Sequence, residues 1–253
     1  MTDDTQTNSR ESDTTTLRTL GVIGGMSWES TALYYADINR GVSERAGGLH
    51  SATLLIASVD FQHIVDHQLN DRWDDAGREL ADIARRLEDA GAEAIALAVN
   101  TMHKVADPIR DAISVPFLDI RTCMADAIAS TGSKRALLLG TDYVVKEDYY
   151  SGELSRSLEG RVSLSVLSSN EQHFVHDIIY DELSKGSVLE ETRHRIASAI
   201  QNRIDTDDIS AVALACTELP MLRLKELLPD MPIADSTSVH VNACVDFILR
   251  DDT

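Results

Sequence analysis

One octapeptide is written twice in this chain. Ala96-Leu97-Ala98-Val99-Asn100-Thr101-Met102-His103 has an echo in Ala213-Leu214-Ala215-Cys216-Thr217-Glu218-Leu219-Pro220. Both copies end an apolar run that stops abruptly at polar side chains. A buried strand of a parallel sheet reads this way, because helices cover both faces and only its end meets a polar rim. In open α/β sheets, ligands bind at those carboxyl ends. A duplicated strand of this kind asks for two similar α/β halves, with the two strand ends as the candidate site. Lining up the copies sets Val99 against Cys216.

The rest of the chain keeps the same plan. Leu20 to Ser27 reads as a strand running into a glycine turn, and Ser27 or Ser30 is placed to cap the helix that follows. Thr53 to Val59 is a second strand, Asp74 to Ala90 a helix, Ala94 to Val99 a third strand and Pro116 to Asp119 a short fourth. The pattern restarts with strands at Arg135 to Leu139, Val162 to Leu167 and Ile209 to Ala215, and Pro232 to Asp235 closes it. Pro116 follows Val99 by 17 residues and Pro232 follows Cys216 by 16, so the halves share a closing distance. Alternating strands and helices give parallel sheets. The predicted fold is α/β: two pseudo-symmetric lobes, each a parallel sheet flanked by helices, with the site in the cleft between them. The expected boundaries are a disordered acidic tail at 1–16, an N-terminal lobe at 17–119 and a C-terminal lobe at 120–236. A last helix at 237–250 is free to pack back on the first lobe.

Charge narrows the partners. The 253 residues carry 42 acids against 23 bases, a net charge of −19. Nucleic acid is excluded as a partner, since phosphate binding needs a basic face. Only 5 of the bases are Lys. An acid-rich, Lys-poor surface suits a protein kept soluble in concentrated salt. No apolar run approaches the ~18 residues of a membrane helix, and the tail has no secretory pattern, so a cytoplasmic location is expected. Gly21, Gly24 and Gly25 give G-x-x-G-G, not the dinucleotide fingerprint. The three cysteines, Cys123, Cys216 and Cys244, have neither disulfide nor metal spacing.

A thiol at a strand end, beside a helix start, is a candidate thiolate, because the helix dipole and nearby N–H groups lower its pKa. Cys216 is in that position. A lone cysteine is more often a small buried apolar residue, and Cys123 and Cys244 read that way. His103 and His240 sit near predicted helix starts, where lining the cleft and capping are both open. His176 and Tyr180, one turn apart, read as a packing pair. Asp60, Asp119 and Asp235 end strands and suit helix caps. An acidic ligand would need a local cation, and Lys104 and Arg121 lie near predicted strand ends.

Seven segments together resemble the aspartate/glutamate racemase family over about Leu20 to Leu249. They are Gly24 to Thr31, Gly48 to Ser51, Ser58 to Phe61, Asn100 to His103, Ile178 to Leu183, Cys216-Thr217-Glu218 and Asp235 to His240. The resemblance implies two lobes, a homodimer, no cofactor, and an acidic amino acid or dicarboxylate as substrate. It implies two thiols on opposite faces of the substrate α-carbon, one removing a proton and the other returning one. Inversion needs both, because delivery must come from the face opposite to removal. It makes Cys216 one acid/base, with Thr101 or His103 as the other candidate. It assigns Gly25, Met26, Asn100, Thr101, Thr141, Thr217, Glu218 and His240 to substrate binding.

The sequence departs from that pattern at Val99, where the first thiol is expected, and at Val144-Val145, which align with a Thr-Met pair. Three readings follow: a racemase with Cys216 and a substitute for the first thiol, a one-thiol decarboxylase or isomerase of the same superfamily, and a non-catalytic amino-acid-binding remnant.

Overall fold

The computed structural model describes residues 17–250, and the proposed acidic tail at 1–16 lies outside the described residues. The first half runs β1 (Thr19–Gly24), α1 (Trp28–Ala46), β2 (Thr53–Ser58), α2 (Phe61–Leu69), α3 (Trp73–Asp89), β3 (Ala94–Leu97), α4 (Ala106–Asp111) and β4 (Phe117–Leu118). The second half runs α5 (Ile120–Ser130), β5 (Arg135–Gly140), α6 (Asp142–Lys146), α7 (Asp148–Ser157), β6 (Ser163–Val166), α8 (Ser169–Asp181), α9 (Glu190–Asp207), β7 (Ala211–Ala215), α10 (Leu224–Leu227) and β8 (Ile233–Asp235). The last helix is α11 (Ser236–Leu249). Two all-parallel four-stranded sheets result, ordered β2-β1-β3-β4 and β6-β5-β7-β8.

The Ala-x-Ala runs are explained by what covers each face. In β3 and the residue after it, Ala94, Ala96 and Ala98 belong to the core beneath α1 and α11, while Ile95 and Leu97 belong to the core beneath α3. In β7, Ala211, Ala213 and Ala215 face the α5–α7 core, while Val212 and Leu214 face the α8–α9 core. Small residues on one face let helices approach closely. A larger side chain at Ala96 or Ala213, both fully buried, costs about 1–3 kcal/mol by overpacking. The large residues of the other face supply the burial, roughly 1.5–3 kcal/mol for each fully covered Ile or Leu.

Each sheet changes direction of growth beside its first strand: β1 pairs with β2 on one side and β3 on the other, and β5 likewise with β6 and β7. Such switch points open crevices at the strand ends. Gly25 makes the exit from β1 possible. Its φ is +94°, and a Cβ there would lie 2.3 Å from the Val59 carbonyl oxygen, so any other residue is excluded without backbone movement.

Helix starts are fixed by strand-ending carboxylates. Asp60 accepts from Gln62 N at the start of α2, Asp119 from Arg121 N at α5, and Asp235 from Thr237 N and Ser238 N at α11. Each such cap contributes about 1 kcal/mol. The final helix packs against both α1 and α5, with Val241, Cys244, Val245 and Ile248 in the first-lobe core. It is thus shared between lobes. No helix of the described residues is long and apolar enough to cross a membrane.

Three local readings need correction. α2 was not expected, because its apolar positions are few: only Ile64 and His67 are buried. β3 stops two residues before Val99, since Val99 N–H bonds Leu97 O at 2.9 Å and turns the chain out of the sheet. Val144 and Val145 lie in α6 within the second-lobe core, so no polar contact of a cleft is lost at them.

Candidate active site

The carboxyl ends of β1, β3, β5 and β7 converge on one cavity between the lobes. Met26 follows β1, Val99, Asn100 and Thr101 follow β3, Thr141 follows β5, and Cys216, Thr217 and Glu218 follow β7. Ile179, Tyr180 and Ser184 close the remaining side. The space is about 70 Å³, and a compact ligand suits it.

The ladders place Val99 and Cys216 in equivalent positions. Gly140 pairs with Ala215 at the end of β5. In the first lobe Ala98 N–H donates to Ile23 O at 2.9 Å, continuing the β1–β3 register. Cys216 follows Ala215 and packs on the α8–α9 core. Val99 follows Ala98 and packs on the corresponding α3 core. The lobes therefore present a thiol and an isopropyl group from matching places.

Cys216 is not the activated thiolate that its strand-end position predicts. Burial, the neighbouring Glu218 charge and the hydrogen bond to that carboxylate all push the thiol well up. Its Sγ donates to Glu218 Oε2 at 3.0 Å. The N–H groups of Glu218 and Leu219 act the other way and do not prevail. The segment after Cys216 is only a four-residue 3-10 turn, Leu219–Leu222, too short to aim a strong dipole. Bonded to Glu218, Cys216 is a proton donor.

Glu218 collects more than the thiol. Thr217 Oγ1 donates to its Oε2 at 2.7 Å, and Ser30 Oγ donates to Oε1 at 3.4 Å from the other lobe. Ser30 also reaches Thr217 Oγ1 at 3.0 Å. Thr141 differs: its hydroxyl is buried without a hydrogen-bond partner, in the cavity wall. A buried hydroxyl left unpaired costs about 1–3 kcal/mol, which a ligand oxygen at that place recovers. Asn100 is committed elsewhere: its Nδ2 donates to Ser236 Oγ at 3.0 Å, and its Oδ1 accepts from Tyr150 at 2.9 Å. That side chain ties the lobes together at the edge of the cavity.

Comparison with known proteins decides the family. The profile of the Asp/Glu/Hydantoin racemase family matches residues 23–244. The chain belongs to the Asp/Glu racemase family. It is 23% identical over 229 residues to the broad specificity amino-acid racemase RacX of Bacillus subtilis, covering 89% of this chain and 96% of that one. A Yersinia pestis protein assigned as an Asp/Glu racemase has 35% identity and a TM-score of 0.85, over 92% of this chain and all (100%) of its own. An aspartate racemase homologue from Pyrococcus horikoshii has 29% identity and a TM-score of 0.80, over 92% of this chain and 100% of its own. The two-lobe α/β architecture is that of the racemase fold.

Within this racemase fold, three sequence-predicted site residues stand outside the cavity wall. His103 is buried behind it. Its Nδ1 meets Val99 O at 2.8 Å and its Nε2 meets Ile120 N at 3.4 Å. A carbonyl can only accept and an amide N–H can only donate, so the ring is neutral with the proton on Nδ1. Burial holds its pKa down at about 4. It cannot serve as the second acid, and it positions the Val99 carbonyl. His240 is likewise enclosed, its Nε2 donating to Leu118 O at 2.8 Å and its Nδ1 accepting from Tyr34 at 2.9 Å. Burial lowers it to about 4 as well. Gly25 spends its N–H on Thr31 Oγ1 at 2.7 Å and shapes the turn that delivers Met26.

The expected cations are absent from the wall too. Lys104 pairs with Glu147 at 2.5 Å and lies over the Trp73 ring. Arg121 is bound to Asp119 at 2.6 Å. Conversely, Ser30, Ile179, Tyr180 and Ser184 were not singled out as site residues. Tyr180 reads as packing because its partner His176 is one turn away, with ring centroids 4.9 Å apart. The usable signal was the segment Ile178 to Leu183, which carries part of the family resemblance and no obvious chemistry.

Proposed function

We propose that this chain is a cofactor-independent enzyme of the racemase family that moves a proton at the α-carbon of a small amino acid, with Cys216 as the proton carrier on one face. The supporting observation is the Cys216 thiol held on Glu218 in a cavity whose other lobe contributes Val99, Asn100 and Thr101. A substrate ammonium beside Glu218 neutralises the charge that raises the thiol. The N–H groups of Glu218 and Leu219 then favour the thiolate, so substrate binding creates the base. Thr141 and Thr101 are the hydroxyl donors available to the substrate carboxylate, whose charge grows as the α-proton leaves, since Thr217 already donates to Glu218.

On the Val99 side the wall offers the Thr101 hydroxyl or a water as proton source. Valine itself exchanges no proton, which favours a second reading: single-thiol chemistry, with exchange on one face only. Substrate charge follows from the wall. Among the described residues no Lys or Arg lines the cavity, and Glu218 is its one carboxylate. Small uncharged amino acids therefore suit it better than aspartate or glutamate. An acidic side chain would call on exposed Lys185, which follows wall residue Ser184 and sits 3.6 Å from Asp181. A homodimer fits the apolar surface left by Trp28, Leu33 and Tyr35 on α1 and Leu49 beyond it.

The deciding experiment is deuterium incorporation at Cα. D- and L-alanine, aspartate and glutamate are incubated separately with the protein in D2O. Exchange with inversion supports racemisation, and exchange from one enantiomer without inversion supports the single-thiol reading. Cys216→Ala should reduce exchange by at least ~100-fold; unchanged exchange in that variant refutes both. Val99→Cys should add or accelerate inversion.

A further inference from the structure

We propose that His63, His67 and Glu79 form a zinc site on the first lobe, remote from the proton-transfer chemistry. His63 and His67 stand one turn apart on α2, so their imidazoles project from one face, with ring centroids 4.8 Å apart. Glu79 of α3 reaches between them. Its Oε1 is 3.3 Å from His63 Nδ1, and its Oε2 is 3.3 Å from His67 Nε2. All three ligand atoms lie within 4.8 Å of one another.

These separations are those of a coordination shell. Zinc binds imidazole nitrogen and carboxylate oxygen at about 2.0–2.2 Å, and a tetrahedral arrangement then spaces neighbouring ligand atoms by roughly 3.3–3.5 Å. Each imidazole already lies at that spacing from one oxygen of Glu79, His63 from Oε1 and His67 from Oε2, and rotation of the half-exposed His63 ring brings both nitrogens onto a single oxygen. Glu79 Oε2 can only accept, so Nε2 of the buried His67 ring carries a proton toward it, while Nδ1 has no protein partner. A cation between the two takes that proton's place: the ring then binds through the Nε2 lone pair and carries its proton on Nδ1. Two imidazoles and one carboxylate form a donor set for Zn2+ and its first-row neighbours, whereas Mg2+ and Ca2+ favour all-oxygen shells.

The fourth position is open. His63 and Glu79 also line a cavity of about 410 Å³, together with Ser58, Asp60 and Arg86. A water or a small anion can complete the shell there, with the Arg86 guanidinium in the same wall. The ion would join α2 to α3. α2 also touches the segment behind the active site, through Gln68 Nε2 to the Met102 sulfur at 3.0 Å. Zinc at this place fixes the helix that backs the Thr101 to Val105 turn, and takes no part in proton transfer.

The test uses tag-free, chelator-treated, full-length protein titrated with Zn2+ and Co2+ by calorimetry, with the visible spectrum of the Co2+ form as second readout. One ion per chain is expected, unaffected by millimolar Mg2+. Binding should weaken at least ~100-fold in His63→Ala and Glu79→Gln, and both sites are exposed enough for these variants to fold. Binding must persist in Cys216→Ala, which removes the competing thiol ligand. The proposal is overturned if the wild type binds no ion, if His63→Ala binds as tightly as wild type, or if Cys216→Ala abolishes binding.

Discussion

At the scale of single residues, the proposed chemistry rests on the pair Cys216–Glu218. The thiol is kept protonated by burial and by the carboxylate it bonds, and the two effects separate by substitution. Glu218→Gln removes the charge and leaves the burial and the backbone donors in place. The thiol pKa should then fall. Alkylation rate against pH, followed by mass spectrometry on the peptide containing Cys216, reads this directly. Cys123 and Cys244 serve as internal controls, since burial raises them to about 12 and higher still and neither is bonded to Glu218. A labelling midpoint in Glu218→Gln at or above that of the wild type would show that the carboxylate does not raise the thiol. Val99 is the complementary residue: its place in the ladder is readable from sequence through the repeat, and its consequence is chemical, because an isopropyl group cannot hold a proton.

At the scale of elements, the polar layer behind the cavity joins β4, α5 and α11. His103 and His240 are both buried there in neutral form. Their folded pKa of about 4 lies below the ~6.5 of an unfolded histidine. The unfolded chain therefore binds more protons between those values. The stabilisation is complete above pH ~6.5 and is lost as pH falls toward 4, at most ~3 kcal/mol for each ring. His240→Gln keeps a donor for Leu118 O and removes the titration. Its melting temperature should be lower at pH 7, and should fall less than that of the wild type between pH 6.5 and 4.5. Equal slopes would remove His240 from the account. This layer shows where sequence reading stopped. The strands were legible because burial on both faces leaves continuous apolar runs, and the caps Asp60, Asp119 and Asp235 were legible because they follow those runs. The roles of His103 and His240 were not legible. A histidine near a helix start looks alike whether it faces a cleft or a carbonyl 122 residues away in sequence, as His240 does at Leu118. Family resemblance points to Thr141, and its unpaired hydroxyl in the cavity wall gives that expectation a physical reason.

At the scale of the whole molecule, charge is the dominant feature. The net charge of −19 sits on a surface where many arginines are already engaged by an acid three residues earlier on the same helix. Arg40–Asp37, Arg78–Asp75, Arg85–Asp82, Arg110–Asp107 and Arg156–Glu153 are all of this kind. Each exposed pair contributes only about 0–1 kcal/mol, and the 42 acids outnumber the 23 bases. Salt acts differently on the two. Partners in contact are closer than the ~8 Å Debye length of physiological salt, while repulsions among dispersed carboxylates act over longer distances and are screened first. Raising KCl therefore removes repulsion faster than it weakens the pairs, and the folded state gains. A rise of about 5–10 °C in melting temperature between 0.1 and 2 M KCl is expected, equivalent to roughly 2–3 kcal/mol for a chain of this length. Scanning fluorimetry across that range measures it, with equimolar sucrose separating screening from solute exclusion. A flat or falling curve would mean that the acids are spaced too widely to repel, and that the acidic composition serves solubility alone.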